Sequence, residues 1–438
     1  MKPETFDWVI HNAWIVTADK DFTVIENGAL AVAGDRLARI WSLDDDPQLP
    51  PGRQRLDAAG GIVLPGLVNA HTHLPMTLFR GLADDLPLMT WLEEHMFPAE
   101  ARYINPDSVY WASLLACAEL LLSGTTTIGD AYFLARHVAA AVAEAGMRAV
   151  VAQGVIDFPA PGVPDPAEKI GHARAFVNHV AGRADGLIRP SIFCHSPYTC
   201  SERTLKEAKQ AARDLKVPFQ IHLAETGDEY RHLAGKYGCN PVQWMERLGI
   251  LDADTILVHC VHIDTDDIAV IAGAGAKVVH CPESNMKLAC GIAPVPEMLA
   301  AGICVGLGTD GSASNNDLDL FGEMGSAARM HKVAMDDPTV MDAATVVKMA
   351  TIDGAVVLGL DGLIGSLEVG KAADLVVTDC RAPNLVPIYH PASTLVYAAR
   401  GADVSHVMVG GRWLVQDGRL NGLDLERIVA RVKEAVRA

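Results

Sequence analysis

Six apolar, strand-like runs of this chain, GIVLPGLVNAH, RPSIFCHSP, PFQIHLAE, TILVHC, KVVHCPE and CVGLGTD, carry a metal-ligating or proton-moving residue at or near their ends. These residues are His71 and His73, His195, His222, His259, His280 and Asp310. Residues two apart on an extended strand project to the same face, so the imidazoles of His71 and His73 can bind one ion. Adding His222 and Asp310 gives three nitrogens and one carboxylate, a set that suits zinc and also accommodates iron or manganese. No lysine ends the RPSIFCHSP run to bridge a second ion, so one divalent metal per chain is the expectation. Such a metal acidifies a water at its open position, which is hydrolytic chemistry. Asp310 is then both a ligand and an acceptor for the proton of that water. Glu225, three residues past His222, is an acid placed to carry a proton to a substrate, a role that needs the raised pKa a desolvated site provides. Cys194, Cys260 and Cys281 adjoin strand-end histidines and so face away from whatever those histidines face.

Bringing these residues to one place requires a scaffold. With TTTIGD and RAVVAQGV added, eight apolar runs alternate with helical stretches such as SERTLKEAKQAARDLK. That is the count for a parallel (β/α)8 barrel, whose C-terminal strand ends form the active face. Residues 6–64 instead read as short alternating runs broken by turns, and a similar texture returns in GSLEVGKAADLVVTD and HVMVGGRWLVQDGR. The expectation is an α/β protein with a parallel TIM barrel over 63–362 and a small antiparallel β-domain assembled from 1–62 and 363–438. A chain of 438 residues, 50% hydrophobic and 21% charged, is long enough for both. Its net charge of −18 repels polyanions, which argues against nucleic acid and anionic membranes as partners. Acidic residues near the start, the lack of a long apolar run and nine cysteines without CxxC spacing point to a cytoplasmic protein with reduced thiols.

The segments LPGLVNAHTHLPMTLFRGLADDLPLMTWL, FQIHLAET, HCPESNMKLACGIAPVP and VGLGTDGSASNNDLDLFGEM resemble the amidohydrolase superfamily, and within it the 5-methylthioadenosine/S-adenosylhomocysteine deaminases. The resemblance covers nearly the whole chain. It implies a distorted (β/α)8 TIM barrel with a composite β-sandwich, one divalent metal, and hydrolytic loss of ammonia from the adenine ring of a purine nucleoside: 5'-methylthioadenosine, adenosine or S-adenosylhomocysteine. It also implies that His259 holds the attacking water, that Glu100 accepts hydrogen bonds from ribose hydroxyls, and that His195 contacts the purine. Trp91 and Met89, in LPLMTWLEE, have polarizable surfaces suited to walling the purine or thioether. Members that take S-adenosylhomocysteine can hold its carboxylate with arginines following the third strand. Here Gln153 stands where the first would be, the loop PAPGVPDP has none, and Arg148 lies five residues earlier, leaving Arg80 as an alternative cation. Guanine, cytosine and triazine aminohydrolases share the metal set and remain alternatives, as does a non-catalytic barrel scaffold. The preferred nucleoside and the oligomeric state stay open, a homo-oligomer being compatible with the sequence.

Overall fold

The computed structural model describes residues 5–181 and 186–437. Eight parallel strands follow one another around a barrel in chain order: Leu67–Thr72, Thr125–Tyr132, Arg148–Val155, Ile188–Cys194, Phe219–Leu223, Thr255–His259, Lys277–His280 and Val305–Leu307. The last meets the first through a parallel bridge between Thr72 and Asp310 and a hydrogen bond from the Asp310 N–H to the His71 carbonyl, 3.0 Å. Just below, the Asn69 side chain accepts from the Thr309 N–H (3.1 Å) and donates to its hydroxyl (2.7 Å). Gly308 permits this seam, because a Cβ there would lie 2.9 Å from the backbone N and O of His71. Below the mouth, Val68, Val150, Ile256, Val258 and Val279 fill the barrel interior together with Leu358, Leu360 and Ile364 from the chain that follows the barrel.

The surrounding helices arise from amphipathic sequence with polar starts. Glu202–Leu215 is capped by the Ser201 hydroxyl, which accepts from the Thr204 N–H, and it buries Leu205, Ala208, Ala211 and Ala212 along one stripe. Lys216, at φ 55°, ends it.

Both chain ends build the second sheet. Ile62–Pro65 joins its two parts, pairing parallel with Phe6–Val16 on one side and antiparallel with Leu375–Thr378 on the other. This sheet of nine strands is mixed rather than purely antiparallel, since Phe6–Val16 also runs parallel to Gly52–Asp57. The single run GIVLPGLVNAH is thus two strands, one in each sheet, divided at Gly66, where a Cβ would lie 2.1 Å from the Thr126 hydroxyl. The terminal sheet therefore extends past the expected change at residue 62. Its own core gathers Ile10, Leu30, Val32, Val63, Leu375 and Met408. All nine cysteines are free thiols, seven of them buried.

A buried ion pair ties the sheet to the barrel. Arg148, at the start of the third barrel strand, donates from Nε to Asp374 Oδ2 (2.9 Å) and from Nη2 to Oδ1 (3.1 Å), and Asp374 also accepts the Gly410 N–H at 2.7 Å. Removing one partner strands the other's charge in the interior, which typically costs about 3–5 kcal/mol. Asp374→Ala is expected to lose that much stability in urea unfolding; a loss under about 1 kcal/mol would mean the pair does not anchor the sheet.

Candidate active site

The seam between first and last strands fixes the geometry of the barrel mouth. His71 lies in the first strand, and His73 follows it at the entry to the 3₁₀ turn Leu74–Phe79. The turn between them is held by Asp130 at the mouth end of the second strand, whose Oδ1 accepts the Leu74 N–H (2.7 Å) and the Thr72 hydroxyl (3.2 Å). His222 comes from the fifth strand and Asp310 from just beyond the eighth. Among the described residues, these four form the one cluster of at least three His, Cys, Asp or Glu suited to a metal, with a donor atom of each within 4.8 Å of the others and all four buried.

The spacing and chemistry of this cluster fit a divalent cation. His71 Nε2 lies 3.2 Å from His222 Nε2, while Asp310 Oδ1 lies 3.5 Å from His71 Nε2 and 3.2 Å from His73 Nε2. Zinc ligands at about 2.0–2.1 Å in a tetrahedron stand roughly 3.3 Å apart. His73 Nδ1 is hydrogen-bonded to the Ala131 carbonyl, which assigns the proton to that nitrogen and turns the Nε2 lone pair toward the cluster. Burial pushes the pKa of His71 down to about 4 and that of His222 well below the usual imidazole value, so both are neutral ligands at pH 7. For His73 burial acts in the same direction, but the Asp310 carboxylate outweighs it and raises the value. Burial opposes ionisation of Asp310, yet the neighbouring His71 and His73 imidazoles outweigh it and hold its pKa well below the ordinary carboxylate range. The carboxylate is steered by its other oxygen: Oδ2 accepts the hydroxyls of Ser284 (2.7 Å) and Ser314 (2.9 Å), leaving Oδ1 to the histidines.

Around this cluster lies a cavity of about 350 Å³ lined by His195, Glu225, His259, Glu100 and Trp91 together with the donors His73, His222 and Asp310. Glu225 is buried, with Oε1 3.8 Å from His259 Nε2, and burial, followed by the nearby Asp310 charge, pushes its pKa up to about 8. His259 accepts at Nδ1 from the Asn285 amide, 3.0 Å away, which leaves Nε2 to carry the hydrogen. Its backbone is left-handed, φ 76°, as is that of Asp310 at 60°; such conformations outside glycine cluster at functional sites. His195 rests its Nδ1 3.1 Å from the Thr199 hydroxyl, and burial lowers its pKa to about 4. Glu100, on the helix Phe97–Tyr103, accepts the Tyr132 hydroxyl, and burial raises its pKa to about 7.

Two expected contacts are not in the cavity. Gln153 turns toward the outer helices: its Oε1 accepts the Ala135 N–H (3.2 Å) and its Nε2 donates to the Gly154 carbonyl (3.2 Å), so it serves the start of the helix Ala135–Ala145. Met89 lies across the helical turn from the buried Trp91 and faces a neighbouring crevice with Glu93 and Lys236. His280 also stays apart, its Nε2 3.3 Å from that of buried His331.

Several residues of the site carry no sequence signal of their own. Ser284 and Asn285 lie in HCPESNMKLAC and Ser314 in GTDGSASNN, so the motifs contained them, but nothing marked them as partners of Asp310 and His259. Tyr132 is two residues past Asp130, on the same face of a strand that runs longer than TTTIGD. Glu229 was one acid among several in AETGDEY.

Comparison with known proteins gives this arrangement its relatives. A profile described as the amidohydrolase family matches residues 62–414. The 5-methylthioadenosine/S-adenosylhomocysteine deaminase of Syntrophobacter fumaroxidans is 46% identical over 431 residues, 98% of each chain. The 5'-deoxyadenosine deaminase of Methanothermobacter thermautotrophicus is 43% identical over 416 residues, 94% of this chain and 95% of its own. Among solved structures, an adenosine deaminase from Xanthomonas campestris with bound zinc superposes with a TM-score of 0.96 at 37% identity, covering 99% of both chains. The profile spans most of the chain, both barrel and part of the terminal sheet, and the relatives align from end to end: this chain belongs to the amidohydrolase family.

Proposed function

We propose that this chain hydrolytically deaminates adenine nucleosides, converting the exocyclic amine to a carbonyl and releasing ammonia, with one zinc ion held by His71, His73, His222 and Asp310. The observation that carries the reading is the placement of Glu225 and His259 beside the four metal donors in one largely apolar cavity. The relatives named above, deaminases of adenine nucleosides, supply the substrate class. When bound, the cation supplies Lewis acidity that brings the pKa of a coordinated water toward neutrality. Asp310 accepts one proton from the attacking water and delivers it to the departing amine. Glu225 delivers the other to the ring nitrogen beside the attacked carbon, and His259 donates from Nε2 to the incoming oxygen. The new C–O bond replaces the C–N bond, and both water protons are accounted for in ammonia and the ring N–H.

The remaining walls bear on the 5' substituent. Trp91, Leu92, Phe97, Phe158 and Pro161 form an apolar side, and among the described residues no lysine or arginine lines the cavity. Arg80 is engaged by Glu119 and the Asn316 carbonyl, Lys287 by Asp84, and Arg148 by Asp374. An amino-acid carboxylate on the substrate would therefore lack a charge-assisted partner, worth ~1.5–3 kcal/mol or roughly ten- to a hundredfold in affinity. Methylthioadenosine and adenosine fit this pocket better than S-adenosylhomocysteine.

Elemental analysis of the purified protein is expected to find one divalent metal per chain, lost for the most part in His222→Ala; two metals per chain would contradict the site. Ammonia release and loss of adenine absorbance are expected with all three nucleosides, with kcat/KM for methylthioadenosine or adenosine at least equal to that for S-adenosylhomocysteine. Glu225→Gln is expected to keep its metal and lose several orders of magnitude in kcat. Absence of turnover on every adenine nucleoside would overturn the proposal.

The acid at Glu100 gives a pH signature. As an acceptor for ribose hydroxyls it binds more strongly when ionised, and a pKa near 7 means that this form prevails above pH 7 and is lost as pH falls. KM for adenosine should rise between pH 8 and pH 6, and Glu100→Gln should raise KM at all pH values and flatten that dependence. An unchanged pH profile in Glu100→Gln would remove Glu100 from substrate binding.

A further inference from the structure

Beyond the fifth strand the chain leaves the barrel through Ala224, whose backbone is left-handed at φ 52°. Glu225, the next residue, must hold its carboxyl inside the cavity from this irregular turn rather than from the strand itself. Three contacts determine where the turn goes. The N–H groups of Val261 and His262 donate to the Ala224 carbonyl at 3.0 and 2.8 Å, joining it to the loop after His259. His262 in turn contacts the Cys290 carbonyl at 2.8 Å, joining both loops to a third. The turn's own two N–H groups point to one side chain. Glu229 accepts the Ala224 N–H at Oε1 (2.9 Å) and the Glu225 N–H at Oε2 (3.1 Å).

Glu229 is 3% exposed and belongs to the first turn of the helix Gly227–Tyr237, whose start is fixed by the Thr226 hydroxyl. It does not line the cavity. Burial pushes the Glu229 pKa up to about 8, but with an N–H donor facing each oxygen the geometry is that of the carboxylate, which specifies the direction of both groups as well as their distance. We infer that Glu229 is a positioning residue for the deamination: by holding the N–H groups of Ala224 and Glu225 it sets the backbone from which the Glu225 carboxyl reaches the reacting atoms. The inference rests on the role given to Glu225 above.

An amide at this position keeps the shape but turns one oxygen into an N–H donor that faces a second donor. Glu229→Gln therefore misdirects Glu225 without opening a cavity. The measurement is a double-mutant cycle on the metal-loaded full chain with methylthioadenosine, combining Glu229→Gln with Glu225→Gln. Glu229→Gln alone is expected to keep one metal per chain and KM within about threefold while losing roughly ten- to a hundredfold in kcat. In the Glu225→Gln background the same change is expected to cost less than about threefold more, because the group it positions is already disabled. Equal losses in both backgrounds would make Glu229 a general structural residue, and an unchanged kcat would give it no role; either result overturns the inference. If Glu229→Gln does not fold, Glu229→Asp, which keeps the charge and both acceptors on a shorter stem, carries the same cycle and is judged by the same outcomes. A wild-type chain inactive on adenine nucleosides, or a fully active Glu225→Gln, would instead refute the functional reading on which the inference stands.

Discussion

Four buried donors that face one another impose the constraint around which the barrel mouth is organised. Three imidazole nitrogens and a carboxylate oxygen, held within 4.8 Å, form an arrangement of lone pairs that is tolerable only with positive charge among them. A protein cannot bring such groups together on mobile loops. Each of the four is therefore placed on a strand or at the first residues past one, and the two ends of the set meet where the barrel closes. The seam at Thr72 and Asp310 is both the last structural link of the barrel and the junction of its metal donors.

The same low dielectric then differentiates groups of like chemistry. Asp310, approached by two histidines and two serine hydroxyls, stays ionised; Glu225, buried, with only longer contacts from the Cys290 thiol and His259 (3.8 Å each) and close to Asp310, is raised to about 8. One acid thus remains anionic while the other keeps a proton available near neutral pH, the division of roles that the proposed deamination uses. Burial likewise keeps His195 and His259 neutral, with each Nδ1 occupied by a local partner and the other nitrogen left for the pocket. No residue needs unusual intrinsic chemistry; the environment assigns the roles.

What was legible in the sequence follows the strength of period-two and strand-end signals. Each of the eight runs supplies one barrel strand, and the polar residues expected at their ends are there, because a barrel strand has few places for a histidine except its mouth. Where a strand stops was harder to see. GIVLPGLVNAH reads as one run, and only pairing partners far along the chain divide it between two sheets. Contacts from side-chain direction were the least legible. Gln153 has the right position at the end of the third strand but the opposite face, and Met89 is two residues from Trp91, which on a helix is about 200° away. Both errors come from knowing position without phase, information held by the neighbouring helix start at Ala135 in one case and by the turn through Trp91–Met96 in the other.

The buried acids that the sequence does not reveal share a physical character. Asp130 receives the Leu74 N–H, Glu229 those of Ala224 and Glu225, and Glu323 that of Glu283 at 3.1 Å, each carboxyl being buried outside the metal cluster. Every one of these donors lies within one residue of a metal donor, of the acid Glu225, or of Ser284, which steers Asp310. Loops at a barrel mouth cannot be fixed by strand pairing, and the apolar packing that would fix them would fill the cavity. A buried carboxyl solves this differently: it accepts a backbone N–H from behind the site, and at Glu229 two of them, while adding nothing to the cavity walls. Such acids carry no periodicity and no motif of their own, so a sequence reading passes over them. They become visible only when each backbone N–H near the site is traced to its acceptor.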